Sequence, residues 1–146
     1  MTHQLHLRTP RTLIALLIAA VAGVGAFMIA APGAKAATGT CDSGDFCMWY
    51  YTNYQGGLYE WYKNDSTLAN DHFENANTAS IVNNNTWSAK NRGTGGTPGA
   101  YDDVRVYDGT GYGGASRCIP YRGSVPDLGI GAWRDRISSF KWVTSC

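Results

Sequence analysis

Beyond residue 40 the chain reads as short apolar stretches of strand length, punctuated by clusters of Gly, Asn, Asp and Ser. Met48 to Tyr51, Leu58 to Tyr62, Val104 to Tyr107 and Ile137 to Val143 all have β character. In the last of these Ser138, Phe140 and Trp142 fall on one face, as a strand with one buried side requires. Thr67 to Phe73 could form a helical turn, and nothing longer is convincing. Ahead of this pattern stands a different one. Arg8 and Arg11 precede an uncharged, mostly apolar run of 19 residues, Leu13 to Ala31, and Ala34-Lys35-Ala36 supplies a small-x-small cleavage pattern. Residues 1–36 are therefore expected to be a signal peptide. Ala and Gly dominate the second half of the run, so it makes a poor membrane anchor, and no membrane association is expected once it is removed.

Laid on itself, the remaining chain repeats. Trp49-Tyr50-Tyr51-Thr52-Asn53-Tyr54-Gln55-Gly56 has the form aromatic-x4-aromatic-x-Gly, and Tyr107 to Gly114 has it again 58 residues later. The same offset carries Asn77-Thr78-Ala79-Ser80 onto Asp135-Arg136-Ile137-Ser138, and Val82 onto Phe140. Gly93-Thr94-Gly95-Gly96-Thr97-Pro98-Gly99 is the joint between copies. Each aromatic block reads as a hairpin bend in which Gly56 or Gly114 takes a positive φ that a side chain would penalise. Two such units, neither able to bury its apolar face alone, are expected to pack as an all-β, two-sheet sandwich over residues 37–146. The first unit spans about 41–92 and the second about 100–146, the repeat and the joint setting these limits.

Composition narrows the function. Residues 37–146 hold nine Lys or Arg against all eleven acids, so they carry no basic stripe and a nucleic-acid partner is disfavoured. Their four cysteines, in a small exported domain, read as two disulfides, for which sequence permits three connectivities. Cys41 and Cys47 enclose a Gly- and Asp-containing turn suited to a short bridge, which leaves Cys118 with Cys146. The second bridge would close a long loop and contribute on the order of 3 kcal/mol. Cys-x5-Cys with two distant cysteines matches no structural zinc spacing.

The doubled aromatic motif resembles the βγ-crystallin Greek key. Secretion, Cys-x5-Cys and Asp-Arg-Ile-Ser-Ser in the second copy resemble the Streptomyces metalloproteinase inhibitor family of actinobacteria, over nearly all of residues 41–146. The resemblance implies that Trp49, Tyr54 and Gly56, and their counterparts Tyr107, Tyr112 and Gly114, form the folded hairpins. It also implies that Ser80 and Ser138 hydrogen-bond those hairpins at Gly56 and Gly114. Many βγ-crystallins bind calcium through Asx-Asx-x-x-Ser/Thr-Ser. Here the corresponding stretches read Ala76-Asn77-Thr78-Ala79-Ser80-Ile81 and Arg134-Asp135-Arg136-Ile137-Ser138-Ser139, both lacking the leading oxygen. No cofactor is therefore expected; if calcium binds, Asp135 and Ser138 are the better pair, with millimolar affinity as the ceiling.

Catalysis has little to stand on. His72 is the single imidazole of residues 37–146, and adjacent Asp102 and Asp103 point to opposite faces of a strand. The chain is not expected to be an enzyme. The resemblance implies instead a secreted, monomeric inhibitor of extracellular proteases, most of all metallopeptidases. Its contact would be a stiffened, disulfide-anchored segment, Arg117-Cys118-Ile119-Pro120-Tyr121, with the glycine joint as second candidate. The aromatic load also permits a carbohydrate- or cell-wall-binding or antifungal protein, and a weak calcium module is a third reading.

Overall fold

The computed structural model describes residues 40–74, 80–97 and 100–146. The expected leader at 1–36, Ala76 to Ala79 and Pro98-Gly99 lie outside the described residues. Among the described residues, seven strands form two antiparallel sheets. β1 (Phe46–Tyr51), β2 (Gln55–Trp61), β3 (Ser88–Asn91) and β6 (Ser124–Val125) make the first, in the order β2-β1-β3-β6. β4 (Asp103–Tyr107), β5 (Ser116–Ile119) and β7 (Ser139–Val143) make the second, in the order β5-β4-β7. The expected helical turn is present as a single 3-10 turn, Leu68–Asn70.

The two copies share one interior. Phe46 of β1 meets Phe140 of β7 with ring centroids 4.9 Å apart, joining the sheets through fully buried rings. Met48, Tyr59, Leu68, Phe73, Val82 and Ala89 from the first copy, and Val104, Val106, Ile119, Leu128, Trp133 and Ile137 from the second, complete this cluster. A satellite cluster of Cys47, Trp49 and Leu58 covers the outer face of the first sheet, with Cys41 and Tyr54 packed on it. The Cys41–Cys47 bridge is thus part of a second small core. Both disulfides form as the turn argument required, with Cα–Cα distances of 5.9 Å for Cys41–Cys47 and 5.5 Å for Cys118–Cys146.

Each aromatic block is a folded hairpin, as expected, with Gly56 at φ +81° and Gly114 at φ +77°. Tyr54 and Tyr112, at φ 61°, also sit in the left-handed region. What holds these bends is a serine hydroxyl, but the residues differ from those the repeat suggested. Ser88 Oγ donates to the Tyr51 carbonyl at 2.6 Å and accepts the Tyr54 N–H at 3.1 Å. Ser139 Oγ does the same with the Gly109 carbonyl at 2.6 Å and the Tyr112 N–H at 3.1 Å. Ser80 and Ser138 are not these residues, and Gly56 and Gly114 are not the partners. Ser88 and Ser139 are 51 residues apart, not 58, because the second copy is shorter between hairpin and closing strand. The correct equivalence for Arg134 to Ser139 is Asn83 to Ser88. Asn84 and Asp135 both take φ 56°, and their N–H groups bond reciprocally to Ile137 and Thr86. Lys90 and Lys141 are equivalent too, each ammonium lying over the two rings of its own hairpin.

The copies also exchange backbone. β6 of the second copy pairs with β3 of the first, while Asp65 of the first bridges Phe140 of the second. The Asn53 N–H donates to Pro126, and its counterpart Gly111 N–H donates to Ser66. Around the second of these crossings lie two acids. The Tyr59 hydroxyl donates to Asp65 Oδ2 at 2.7 Å, and burial, with that carboxylate beside it, raises the phenol strongly. Burial first, then the charge of Asp65, raises Asp71 from 3.8 to about 6.

Two outcomes follow. Ser88→Ala or Ser139→Ala should each lower stability by about 2–3 kcal/mol in urea unfolding, since a buried N–H and carbonyl both lose their partner. Ser138→Ala, whose exposed partner Asn84 can turn to water, should lower it by about 1 kcal/mol or less. Because the folded-state pKa of Asp71 lies above its unfolded value, its contribution is present below about pH 4 and is lost as pH rises through about 6. Asp71→Asn should therefore melt higher than the wild type at pH 7.5, with the gap closing towards pH 4.

Candidate functional site

The segment expected to meet a protease divides in two. Arg117 and Cys118 lie in β5, an edge strand whose register puts Cys118 opposite Arg105 and Ile119 opposite Val104. Ile119 is fully buried, so it belongs to the core and cannot enter a protease cleft; strand alternation turned it inward. Only Pro120 and Tyr121 lead out of the sheet. They open a tight turn, Pro120-Tyr121-Arg122-Gly123, closed by the Gly123 N–H on the Pro120 carbonyl at 2.7 Å. Arg122 projects from it into solvent at φ 56°, a conformation that non-glycine residues rarely adopt. Its guanidinium stands 5.0 Å from the ring centre of Tyr121.

This turn is fixed to the glycine joint by one residue, Asn91, at the end of β3. Its side chain is 1% exposed, and an amide taken that far from water must place all its hydrogen-bonding capacity. Nδ2 donates to the carbonyls of Asp102 at 2.7 Å, Ile119 at 3.0 Å and Pro120 at 3.1 Å. Oδ1 accepts the Gly93 N–H at 2.9 Å, and the Asn91 backbone N–H donates to Gly123. The neighbouring acids finish the arrangement on opposite faces, as their adjacency requires. Asp102 accepts from the Gly96 N–H, and Asp103 accepts from the Tyr121 N–H at 2.7 Å. Thr94 to Thr97 is exposed yet held at both ends. A Cβ on Gly96, at φ +93°, would meet the Tyr121 ring at 3.0 Å, so glycine is what lets the joint lie against that ring. Turn and joint flank a cleft of about 530 Å³ lined by Ser43, Arg92, Thr94, Tyr121, Arg122 and Ser124 among others.

Residues weighed for other chemistry fall elsewhere. Asp135 and Ser138 are not brought together as a cation site. Asp135 Oδ1 accepts the Trp87 indole N–H at 2.7 Å, and the Arg134 guanidinium lies 4.5 Å over that indole. One Asp135 oxygen is thus taken by an indole N–H, while Arg134 pairs with Asp127 at 2.8 Å. At the equivalent place in the first copy, the Ser138 hydroxyl donates to Asn84 Oδ1 and no carboxylate takes part in that bond. His72 is engaged through its backbone in a bridge with Ile81. Asp108 and Asp127 are held below the usual carboxylate range, first by hydrogen bonds from Arg136 and Arg134 respectively. Among the described residues no helix is long and apolar enough to cross a membrane.

Known structures share this architecture. A βγ-crystallin domain from work on the evolution of the eye-lens fold superposes with a TM-score of 0.55 at 18% identity, covering 75% of this chain and 93% of that one. A βγ-crystallin from Ciona intestinalis gives 0.51 at 20% identity, over 68% of this chain and 99% of that one. One from an archaeon gives 0.50 at 16% identity, over 70% and 100%. At these identities the likeness establishes the fold, a βγ-crystallin-like pair of Greek keys. A comparison with curated proteins finds no match. The model of peptidase inhibitor family I36 matches residues 34–119, from before Cys41 to the end of β5, which is more than half of the chain. The chain is therefore no enzyme: it belongs to peptidase inhibitor family I36, the Streptomyces metalloproteinase inhibitor family.

Proposed function

We propose that this protein is exported and inhibits extracellular metallopeptidases, docking through the Pro120–Arg122 turn and the exposed joint Thr94–Thr97. The leader and both disulfides support export. Family membership supplies the protease partner, and the observation that carries the contact surface is the Asn91 hub. An inhibitor must present main chain that loses little freedom on docking, since ordering a mobile loop subtracts directly from affinity. Asn91, Asp102 and Asp103 supply this rigidity from beneath, leaving the tips of both loops in water. Cys118–Cys146 fastens β5, from which the turn departs, and so holds the base of the surface in place. The disulfide-anchored segment thus serves as a support for its last two residues, while Arg122, one position further on, adds an exposed cation. The φ of Arg122 departs from the extended main chain that a cleft-binding substrate adopts. Docking is accordingly by complementary shape around the active-site rim, with both loops engaged together.

The test is a panel of thermolysin-like and subtilisin-like proteases titrated with the purified, oxidised protein. Thermolysin-like enzymes should lose activity at about micromolar inhibitor, the range expected of a small preorganised interface. A Tyr121→Ala/Arg122→Ala double variant should weaken inhibition by about tenfold or more while keeping its melting temperature, because both side chains are peripheral to the core. If folded protein leaves every protease fully active, the reading is wrong.

A further inference from the structure

A second cleft opens on the other side of the joint, between the end of β2, the glycine loop and β7. It has a volume of about 570 Å³, and its walls are Tyr62, Tyr101 and Trp142, with Lys63, Asn64 and Thr94 among the polar lining. Packing accounts for only part of these rings, since Tyr62 touches Trp61 and Trp142 leans on the core. Tyr62 is 58% exposed and Tyr101 74% exposed, and neither belongs to either core cluster. Trp142 packs one side on the core, but its indole N–H is buried without a hydrogen-bond partner among the described residues. That nitrogen is closed to solvent, so Trp142 offers the cleft its ring rather than its N–H.

The cleft is also built. Asn64 Oδ1 accepts the Trp142 backbone N–H at 2.8 Å, which fixes the strand that carries the indole and leaves the Asn64 NH2 as the donor end. Gly93 lies so close to the Trp142 ring that a Cβ there would meet it at 3.0 Å. The opposite wall is held through the Asn91 and Asp102 bonds that pin the joint. Among the described residues of the lining Lys63 alone is charged, with its ammonium 4.9 Å from the ring centre of Tyr62.

We propose that this cleft binds a short oligosaccharide of pyranose units, independently of protease inhibition. The axial C–H groups of a pyranose match the electron-rich face of an aromatic ring, and its hydroxyls need dispersed donors and acceptors at the edges. Tyr62, Tyr101 and Trp142 supply the faces. Lys63, Asn64, Thr94 and the glycine main chain supply the edges. With a cation and no carboxylate in the lining, neutral and acidic sugars fit better than amino sugars with free ammonium groups. A purely apolar ligand would leave these polar edges unpaired.

Chitotetraose, cellotetraose and tetragalacturonate are suitable probes, titrated into the purified, oxidised protein by calorimetry and by following the indole N–H signals in NMR spectra. At least one should bind saturably with half-saturation at about 1 mM or below, and should shift the Trp142 indole signal. Tyr62→Ala and Tyr101→Ala, both exposed and outside the core, should each weaken binding about tenfold without changing the melting temperature. Arg122→Ala should leave it unchanged. Absence of saturable binding by all three sugars up to about 10 mM, or binding that both tyrosine variants retain in full, overturns the proposal. Because inhibition is read with other residues and another assay, either reading can fail without the other.

Discussion

The structure depends on one small contact made twice: a buried serine hydroxyl that satisfies both ends of a folded-over hairpin. A hairpin that bends back onto its own sheet turns an N–H and a carbonyl away from the strand ladder, and buried groups of that kind must be paired. Ser88 and Ser139 answer with a single oxygen each, donating to one carbonyl and accepting one N–H. With the bend fixed, the corner rings close on each other. Trp49 meets Tyr54 at 5.2 Å and Tyr107 meets Tyr112 at 5.9 Å, both edge-on, with a lysine ammonium over each pair. The left-handed φ of Tyr54 and Tyr112 is tolerated because these contacts over-determine it.

From the bends the two copies become one body. Neither finishes its own sheet: β6 crosses to β3, and Asp65 crosses to β7. The bends themselves donate across the seam, from Asn53 to Pro126 and from Gly111 to Ser66. A copy taken alone would expose an open ladder and half of the Phe46–Phe140 contact, which is why the duplication amounts to a single cooperative unit. The acid at Asp71, disfavoured in its ionised form, sits close to this seam and ties its integrity to pH.

Both proposed surfaces lie where the chain passes from one copy to the other. The joint is exposed, and Asn91 ties it by hydrogen bonds to the turn after β5. A cleft lies on either side of the joint, one bordered by Arg122 and the other by the exposed rings of Tyr62 and Tyr101. On the two proposals above, the joint would border both a protease contact and a sugar cleft.

Local chemistry made much of this legible. Aromatic-x4-aromatic-x-Gly announces a bend because only a few residue types tolerate its geometry, and the glycines were found at positive φ where that argument put them. The short turn between Cys41 and Cys47 was sufficient to pair them, and with them Cys118 and Cys146. Other features needed distances that no one-dimensional pattern contains. An ungapped offset of 58 matched Ser80 to Ser138 through turn residues that are interchangeable in sequence, whereas the bends select Ser88 and Ser139, the hydroxyls that space places beneath them. Ile119 looked presentable beside a cystine and a proline, but strand register turned it inward. Asn91 carried no sequence signal at all, since an asparagine before a glycine run reads as a loop until three carbonyls converge on it. The amino-acid order by itself determined the bends, the bridges and the duplication, because each rests on neighbouring residues or on simple elimination. Tertiary structure alone decided which hydroxyl closes each bend, which side chains meet water and which loops are rigid, because those depend on groups brought together from distant parts of the chain.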